Sequence, residues 1–559
     1  MFFLNFVRNL FVLLLSPLIA MWRTMKRPSP GYVRLRVHPQ LVEVRRHLPF
    51  FYRWLPWSST TPATELTTVR HLFELVATEK ATDGVILVVP RLRCGWATCQ
   101  SLVDAMKALR ARNKRVVVQF EHSVGQKELF VSCYADRVFM PTRASIDIRG
   151  LSVRTTYFKQ LLDKTGVRIQ VFARKEYKTA AEPFSREEMS DAQRRQTQAL
   201  LDEHQETLCQ ALIGKLQRDR QQVNALFDRV SVRADEAVEL GLIDATGYED
   251  EIARLLEIDE ESIDGASSFL RYHDFRWIKP VRRPKCFAVV NVRGTIGDGR
   301  GSGARRAAIN AALKRARKDK RVTGVILHVD SPGGSADASD LIHREVVRIK
   351  EEKPIVACFG DVAASGGYYI AAPAHSIVAQ PLTTTGSIGV VSIRPSAGAL
   401  FERMGLRSDS VQTSKFADID SIWHPLDENE TRIVDQEIDG YYDAFVSLVA
   451  EGRGRTLNDV EPLARGRVWS GEAAFRNGLL DRLGGFEMAK KELGRHLGLE
   501  ESIALKMPVE VYVPAARGDD PFGMGPFGES AFFAIFPWIS TMNATRKILY
   551  QGIDLPDIG

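Results

Sequence analysis

The sequence has few cysteines and none of the spacings that build a disulfide scaffold or a zinc module. Its six cysteines are at positions 94, 99, 133, 209, 286 and 358 of 559 residues, with no CxxC pair. Isolated cysteines in apolar runs are typical of buried free thiols. We therefore expect no structural disulfide, no metal site and no cofactor.

The chain also lacks a long run of charge of one sign. It carries 76 Lys and Arg against 69 Asp and Glu, a net charge of +7. No basic block resembles a nucleic-acid-binding arm, so we expect no nucleic acid partner. With 45% hydrophobic and 26% charged residues, the composition is that of a globular protein. The length suggests two large domains or three to four of ordinary size.

No apolar run near the N-terminus is long enough for an unambiguous membrane span. Within residues 1–28, the uninterrupted apolar part is Leu10 to Trp22, whereas a full span needs about 20 residues. No small-residue cleavage site follows before Arg23, so we expect a short uncleaved hydrophobic anchor. An interfacial helix and a cleaved signal peptide are the alternatives. Because basic residues flank the run on both sides, its orientation stays open.

Internal repeats determine the predicted architecture. The tetrapeptide GVIL occurs at 84–87 and again at 324–327, and each copy lies between helical patterns, at 65–80 and 102–112 and at 304–318 and 341–350. An apolar strand follows each time, at 116–120 and at 355–359. Further on, ADEAVELGLIDATG at 234–247 parallels GEAAFRNGLLDRLG at 471–484 at a similar offset. The sequence therefore predicts an α/β fold made by tandem duplication of a βαβ domain.

The repeats set the expected domain boundaries. We expect an N-terminal repeat at 45–260 and a C-terminal repeat at 286–500, joined by a linker at 261–285. The tail, 501–559, contains a second apolar patch at 531–539 that is too short to span a membrane.

The second half has two small-residue turns that the first half lacks. Ser365 lies in AASGG between a buried strand and a helix, a position that would expose its hydroxyl as in a nucleophile elbow. The segment DSPGGS at 330–335 follows the GVILHV strand, and the amides of Gly334 and Gly366 would form a two-donor oxyanion hole. Close packing and helix capping are the alternative explanations of these turns.

The first half offers no equivalent nucleophile. Its counterpart of Gly334 is Cys94, and its counterpart of Ser365 is Gly125 or Gln126, with only Ser123 nearby. A serine nucleophile also needs a base. His375 and His328 have no obvious orienting carboxylate, so a Ser-His-Asp triad is weakly supported.

A further set of motifs carries a family resemblance. The segment YKTAAEPF at 177–184, with DSPGGS, AASGGYY, TTTGSIG at 383–389 and GRVWSGEAA at 466–474, resembles signal peptide peptidase A in its long two-repeat form. The resemblance covers about residues 45–500. It implies a Ser-Lys serine protease of Clp/crotonase-like fold. It also implies a homotetramer anchored in the bacterial inner membrane, with periplasmic catalytic domains and hydrophobic peptides, such as released signal peptides, as substrates.

The resemblance also implies the role of each site residue. Ser365 matches the nucleophile, Lys178 the general base, and Ser387 the hydroxyl that orients the lysine, while Gly334 and Gly366 match the oxyanion hole. The base would then come from the first repeat and the nucleophile from the second. When Tyr177 is aligned with Phe416, the second-repeat counterpart of Lys178 is Ala417, which leaves Lys415 as a rival base.

The proposed base must be neutral at working pH. The pKa of Lys178 must therefore fall from about 10.4 towards about 7–8. Burial would lower it, with help from the positive charges of Arg174 and Lys175. A nearby Glu182 carboxylate would oppose this shift, so we expect that side chain to point away.

Three other functions fit parts of the sequence. Residues 299–304 match a GxGxxA dinucleotide fingerprint, with Asp330 as the ribose-binding acid. A crotonase-like acyl-CoA enzyme would share the fold and the paired amides. A catalytically inactive membrane scaffold would need neither residue of the dyad.

Overall fold

The computed structural model describes residues 30–44, 63–273, 284–298 and 303–512. The expected anchor at 1–28 and the apolar patch at 531–539 lie outside the described residues, as does the middle of the linker. Of these described residues, the first compact unit contains those up to Leu151 and those from Asp202 to Cys286, and the second contains Ser152–Leu201 and those from Phe287 onward. The segment Ser152–Leu201, which the sequence division places in the repeat at 45–260, thus belongs to the second unit.

Short strands alternate with helices along the described chain, as the repeat pattern predicts. The strands are β1 (Tyr32–Arg36), β2 (Leu41–Val42), β3 (Thr64–Glu65), β4 (Gly84–Val89), β5 (Arg115–Phe120), β6 (Arg137–Met140), β7 (Ser145–Asp147), β8 (Arg168–Ala173), β9 (Ser231–Arg233), β10 (Ala245–Thr246), β11 (Ile263–Gly265), β12 (Cys286–Arg293), β13 (Ile296–Gly297), β14 (Ala304–Arg305), β15 (Val322–Ser331), β16 (Ile355–Ala364), β17 (Ser376–Ala379), β18 (Thr384–Gly386), β19 (Val391–Ser396), β20 (Val468–Ser470), β21 (Arg482–Leu483) and β22 (Val509–Val511). The α-helices are Leu66–Thr78, Trp96–Arg110, Gln126–Ser132, Lys159–Thr165, Glu182–Ser185, Asp191–Leu216, Arg220–Phe227, Ala234–Glu239, Ile252–Leu256, Ala266–His273, Arg306–Lys318, Ala336–Lys350, Gly366–Ala371, Gly398–Arg403, Glu428–Arg453, Leu457–Val460, Gly471–Arg476, Phe486–His496 and Glu501–Lys506. Single 3-10 turns occur at Thr179–Ala181, Glu249–Glu251, Glu260–Ser262 and Glu461–Leu463.

The first unit is built on a parallel sheet in the order β10-β6-β5-β4-β1-β11. Its central strand β4, GVILVV, is buried along its whole length. Strands covered on both faces have continuous apolar runs of this kind, because helices pack on either side of a parallel sheet. The helices Leu66–Thr78 and Trp96–Arg110 contribute apolar side chains to the same core.

The second unit repeats this plan with an eight-stranded sheet. Its main order is β20-β18-β16-β15-β12-β22, with β17 paired to β16 and β21 paired to β17, and its edge strand β20 is antiparallel to β18. β15 and β16 are parallel neighbours, and their register shifts between Val329 and Ser331. β16 continues five residues beyond Phe359, where the sequence pattern predicted its end. The extension exists because Val362–Ala364 pairs with β18. The longer strand therefore ends directly before Ser365.

A separate antiparallel pair explains why the segment from 152 to 201 belongs to the second unit. β8 pairs with β19 along its whole length, from Arg168 opposite Ser396 to Ala173 opposite Val391. Phe172 of β8 is buried in a small core with Leu426, Val434 and Ile438. These contacts hold a segment of the first repeat on the second unit, with Lys178 five residues past the end of the strand.

The two units preserve the duplication in detail. The helices before and after β4 have 13 and 15 residues, and the helices before and after β15 have the same lengths. The GVIL tetrapeptides begin β4 in one unit and lie within β15 in the other. The predicted α/β duplication is therefore present in the fold.

The glycines of the two GVIL repeats give a matched test of close packing. A Cβ at Gly84 would collide with the backbone carbonyl of Arg115 in β5, whereas one at Gly324 would lie 2.7 Å from the Cδ1 atom of Leu493. A backbone group in a sheet cannot move without breaking the sheet, but a leucine side chain can rotate. We expect Gly84→Ala to lower the free energy of unfolding by about 2–3 kcal/mol and Gly324→Ala by about 1 kcal/mol or less.

Urea denaturation of both variants beside the wild type would measure this difference. Because the chain has two compact units, each transition is fitted separately. Equal losses for the two variants would contradict the distinction between a backbone and a side-chain neighbour.

Candidate active site

Ser365 lies at the sharp turn between β16 and the helix Gly366–Ala371, as the sequence predicted. Its backbone has φ +53° and ψ −121°, in the region that favours glycine. Two hydrogen bonds hold this strained conformation: its N–H donates to Gly386 O at 2.8 Å, and its carbonyl accepts from Tyr369 N–H at 2.9 Å. The turn leaves the side chain only partly buried. A serine kept in this way resembles the strained nucleophile elbow of hydrolases.

The DSPGGS segment packs directly against this turn. Gly333 and Gly334 have φ of +101° and +153°. A Cβ at Gly333 would lie 2.7 Å from the amide nitrogen of Gly366 and 2.8 Å from Ser365 Cβ. A side chain at Gly334 would collide with the carbonyl of Ile296. Glycine is therefore required at both positions for two reasons: neighbouring atoms leave no room for a side chain, and φ is positive.

Two backbone amides remain open beside the serine. The Ile296 N–H donates to the Gly333 carbonyl, and the Ile296 carbonyl accepts from the Ser335 N–H. The N–H of Gly334, which lies between these two residues, takes part in neither hydrogen bond. Gly366 is the first residue of its helix, where an amide has no partner within the helix. Within the described part of the chain, neither amide donates a hydrogen bond. A Cβ at Gly366 would be 3.4 Å from the Gly334 nitrogen, which puts the two amides side by side. Such a pair can bind a negatively charged oxygen.

Lys178 brings its amine to the serine hydroxyl. It follows β8 and precedes the 3-10 turn Thr179–Ala181, and only 7% of it is exposed. Its Nζ lies 3.1 Å from Ser365 Oγ and 3.0 Å from both the carbonyl oxygen and the Oγ of Ser387. The structure thus brings together in one unit all five residues singled out by the sequence: Ser365, Lys178, Ser387, Gly334 and Gly366.

Burial lowers the pKa of Lys178 to about 7, and it is the sole cause of the shift. The expected help from Arg174 and Lys175 does not occur. Arg174 forms ion pairs with Asp435 and Asp439, and Lys175 lies 3.8 Å from a Glu461 oxygen. Their charges are therefore balanced locally by carboxylates. The Glu182 carboxylate accepts from the Ser190 N–H at 3.2 Å, and it does not contribute to the pKa of the lysine.

The three contacts of the amine match the hydrogen-bonding capacity of neutral lysine. A neutral amine has two N–H donors and one lone pair. The Ser387 carbonyl can only accept, so it takes one N–H. If the Ser387 hydroxyl takes the second, the lone pair faces the Ser365 O–H. The arrangement can therefore remove a proton from the serine near neutral pH.

Gly466 also shapes this site, although no sequence pattern assigned it a role. Gly466 has φ +77°, and a Cβ there would lie 2.6 Å from the Cα of Lys178. Its N–H donates to Ile388 O, and the N–H of Ser387 donates to Arg467 O at 2.7 Å. Residues 466–467 thus hold both the lysine and Ser387. Gly466 is the first residue of the GRVWSGEAA motif. The motif was recognised in the sequence, but the role of Gly466 was not predicted.

The rival bases lie elsewhere. Lys415 is exposed, with its Nζ 5.1 Å from the ring centroid of Phe416. His375 Nδ1 accepts from Ile355 N–H at 3.1 Å, and its ring lies 5.2 Å from that of His496. Neither contacts Ser365 in the described structure.

In the first unit, the turn that corresponds to the Ser365 turn holds a buried carboxylate. Gly125 precedes the helix Gln126–Ser132, as Ser365 precedes its own helix. Glu128 is only 2% exposed, and its carboxylate accepts from the amides of Gly125 and Leu92. A buried carboxylate therefore caps this turn in the first unit. Cys94 is buried, with its sulfur 3.6 Å from that of Cys99.

The dinucleotide fingerprint does not have the expected geometry where it is described. Residues 299–302 lie outside the described residues. Ala304–Arg305 forms β14, which pairs with β13, so the helix begins only at Arg306. Asp330 Oδ1 accepts from Val362 N–H at 3.2 Å, which ties this carboxylate to the neighbouring strand. Among the described residues, no cluster of His, Cys, Asp and Glu could hold a metal ion.

Comparison with known proteins assigns the family. The model of peptidase family S49 matches residues 108–262 and again 348–500, together more than half of the chain. The chain therefore belongs to peptidase family S49. One match falls in each half, which agrees with the duplication and with the resemblance noted from the motifs.

The chain is also similar to proteins named as proteases. It is 33% identical to Protease 4 of Haemophilus influenzae over 390 residues, 67% of this chain and 63% of the relative. It is 32% identical to Protease 4 of Salmonella typhi over 398 residues, 69% of this chain and 64% of the relative. It is 28% identical to the chloroplastic serine protease SPPA of Arabidopsis thaliana over 430 residues, 75% of this chain and 63% of the relative. The chain thus spans under two thirds of the length of these relatives.

Similarity to solved structures is weaker. A structure of the membrane-bound stomatin-specific protease 1510-N covers 42% of this chain, and all of its own length, at 18% identity and a TM-score of 0.27. This likeness is too low to bear on the fold.

The low pKa of Lys178 can be tested without any substrate. Between about 7 and the ordinary value of 10.5, the unfolded chain binds a proton that the folded chain lacks. Stability therefore rises with pH across this window, by about 1.4 kcal/mol per unit. Lys178→Met removes this contribution, so we expect the wild type to gain stability relative to the variant from pH 7 to pH 10.

Urea unfolding of both proteins at several pH values would measure the difference. Lys415→Met, which removes an exposed lysine, is the matched control and should keep the wild-type pH dependence. If the curves of wild type and Lys178→Met ran parallel, Lys178 would have an ordinary pKa.

Proposed function

We propose that this chain is a membrane-associated serine endopeptidase that cleaves signal peptides and other hydrophobic peptides with a Ser365–Lys178 dyad. The observation that carries the proposal is the buried Lys178 Nζ at 3.1 Å from Ser365 Oγ, with its pKa lowered to about 7. Membership of peptidase family S49 and relatives named as proteases support the same reaction class.

In this reaction Ser365 Oγ attacks the carbonyl carbon of the scissile peptide bond while its proton passes to Lys178 Nζ. The carbonyl oxygen becomes an oxyanion, which accepts hydrogen bonds from the amides of Gly334 and Gly366. When the tetrahedral intermediate collapses, the C–N bond breaks and Lys178 returns the proton to the leaving amine. A water molecule then attacks the carbonyl carbon of the acyl-enzyme while Lys178 again takes the proton. The ester C–O bond breaks, and Lys178 returns the proton to Ser365 Oγ.

Ser387 acts as a positioning residue in this proposal. Its carbonyl and hydroxyl both lie 3.0 Å from Lys178 Nζ, so they fix the amine in one orientation. An amine held in this way directs its lone pair at Ser365 and needs no carboxylate partner. A carboxylate would instead stabilise the charged form and raise the pKa.

The fold family, the oligomeric state and the location are proposed from the resemblance to signal peptide peptidase A. We propose a Clp/crotonase-like fold, a homotetramer, and attachment to the lipid of the bacterial inner membrane, with the catalytic domains in the periplasm. The anchor at 1–28 would provide the attachment. In the ranges that the structure covers, no helix has the length and apolarity to cross a bilayer.

The dyad predicts a clear pattern of activity loss. With a fluorogenic, leucine-rich, signal-like peptide, we expect Ser365→Ala and Lys178→Met each to lower kcat/KM by at least about a thousandfold. Ser123→Ala and Lys415→Met, which remove a serine and a lysine away from the dyad, should stay within about twofold of wild type. Steady-state hydrolysis by the purified full chain measures all four variants.

Other results would point to other assignments. Activity in Lys178→Met together with loss in Ser365→Ala would refute the base and bring His375 forward. A wild type that is inert on several such peptides would favour the scaffold or the acyl-CoA enzyme, and tight coenzyme A binding would separate these two.

The pH profile tests the state of the base. Lys178 must be neutral to accept the serine proton, so kcat/KM should rise with pH around a midpoint near 7. Ser387→Ala should keep a rising limb but lower the plateau roughly tenfold to a hundredfold, because one of the two groups that fix the amine is lost. A wild-type midpoint above pH 9 would contradict a base with a lowered pKa.

A further inference from the structure

A buried glutamine contacts the chain on both sides of Lys178. Gln196 belongs to the long helix Asp191–Leu216, and only 6% of it is exposed. Its Nε2 donates to the Tyr177 carbonyl oxygen at 3.3 Å and to Thr179 Oγ1 at 2.8 Å. The carboxamide therefore holds the residue before Lys178 and the residue after it.

The oxygen of the same carboxamide holds a neighbouring strand. The Val468 N–H in β20 donates to Gln196 Oε1 at 3.2 Å. Val468 lies opposite Gly386 in the antiparallel pair of β20 and β18. The Gly386 carbonyl accepts from the Ser365 N–H, and Ser387 follows Gly386 in the chain. Gln196 thus joins the chain around Lys178 to the pair of strands that positions both serines of the site.

The three contacts match the hydrogen-bonding capacity of a carboxamide. The Tyr177 carbonyl can only accept and the Val468 N–H can only donate, so the amide nitrogen faces the first and the amide oxygen faces the second. The second hydrogen of the nitrogen goes to the Thr179 hydroxyl. An ionised glutamate would have no hydrogen for either acceptor, and a leucine would leave all three groups without this partner. Glutamine therefore fits this position better than a residue of similar size.

The carboxamide is also uncharged, which suits a site with a neutral lysine. A carboxylate close to a buried amine stabilises the charged form of the amine and raises its pKa. Burial is the sole cause of the lowered pKa of Lys178, so no carboxylate acts on this amine. Gln196 can therefore hold the chain around Lys178 without favouring the protonated lysine.

We propose that Gln196 is a positioning residue for the reaction of Ser365 and Lys178. Its carboxamide fixes residues 177–179 against β20, and this fixes the distance from the lysine amine to the serine hydroxyl. The inference rests on the proposed function, because it assigns a further residue to that reaction. Among the described contacts, Gln196 reaches neither Ser365 Oγ nor Lys178 Nζ, so it acts through the backbone on either side of the lysine.

The kinetics of Gln196→Leu test the positioning. With the leucine-rich peptide, kcat should fall roughly tenfold to a hundredfold while KM stays within about twofold, because a displacement of about 1 Å in a catalytic group has an effect of this size. Gln198→Leu, which changes an exposed glutamine of the same helix, should keep both constants. A wild-type kcat in Gln196→Leu, or a loss that appears only in KM, would overturn the proposal.

The pH profile of Gln196→Glu tests the need for an uncharged side chain. This variant keeps the length of the side chain and the oxygen that accepts from Val468, but it adds a carboxylate beside residues 177–179. The midpoint of kcat/KM should rise by at least about one pH unit from the wild-type value near 7, and Gln198→Glu should leave it unchanged. A purely structural role would lower the amount of active enzyme without moving the midpoint. An unchanged midpoint in Gln196→Glu would therefore refute the proposal.

Hydrogen–deuterium exchange tests the bridge without any substrate. In Gln196→Leu the Val468 N–H loses its acceptor, so peptides that contain Val468 or residues 177–179 should exchange at least about tenfold faster, while peptides from β4 should exchange as in wild type. Unchanged protection at Val468 would contradict the bridge. Thermal unfolding is the folding control, and if Gln196→Leu does not fold, the pH midpoint of Gln196→Glu decides the proposal. If the wild type cleaves no peptide, the proposed function fails, whereas exchange still shows whether Gln196 holds the chain around Lys178.

Discussion

The contact between the Lys178 amine and the Ser365 hydroxyl constrains much of the second unit. A buried ammonium without a carboxylate is costly, so burial favours the neutral amine. The Ser387 carbonyl and hydroxyl then provide the polar contacts that the amine still needs. The backbone must bring three distant stretches of chain to one point, and several unusual backbone conformations around the site serve this purpose.

Those conformations cluster around the dyad. Ser365 and Ser387 both have positive φ although neither is a glycine, and Gly334 and Gly466 are glycines that cannot accept a side chain. Each such position costs stability and is retained where the surroundings hold it. Here the neighbouring strands and the loop at 465–467 supply that support through backbone hydrogen bonds. The usual backbone preferences of the residues are thus broken around the contact between Lys178 and Ser365.

The corresponding strand-to-helix turns of the two units hold different groups. Both place a small turn between a central strand and a helix. In the second unit the glycine amides at this turn stay open beside Ser365. In the first unit the carboxylate of the buried Glu128 accepts from the amides of Gly125 and Leu92, and Gly125 stands at the position before the helix that Ser365 has in the second unit. The first repeat instead supplies Lys178, through a segment held by the pairing of β8 with β19.

The duplication, the alternation of strands and helices, and the turn at Ser365 could all be predicted from the sequence. All of these depend on local patterns: apolar runs for buried strands, helical periodicity, and glycines where backbones approach closely. Four features became visible only in the three-dimensional fold: Lys178 is buried, β16 continues to Ala364, Gly466 packs on the lysine, and burial alone lowers the pKa of the lysine. The reason is physical: Lys178 is held by the pairing of β8 with β19, strands more than 200 residues apart, and β16 is extended by its pairing with β18. A local pattern carries no information about which other surface will cover a side chain.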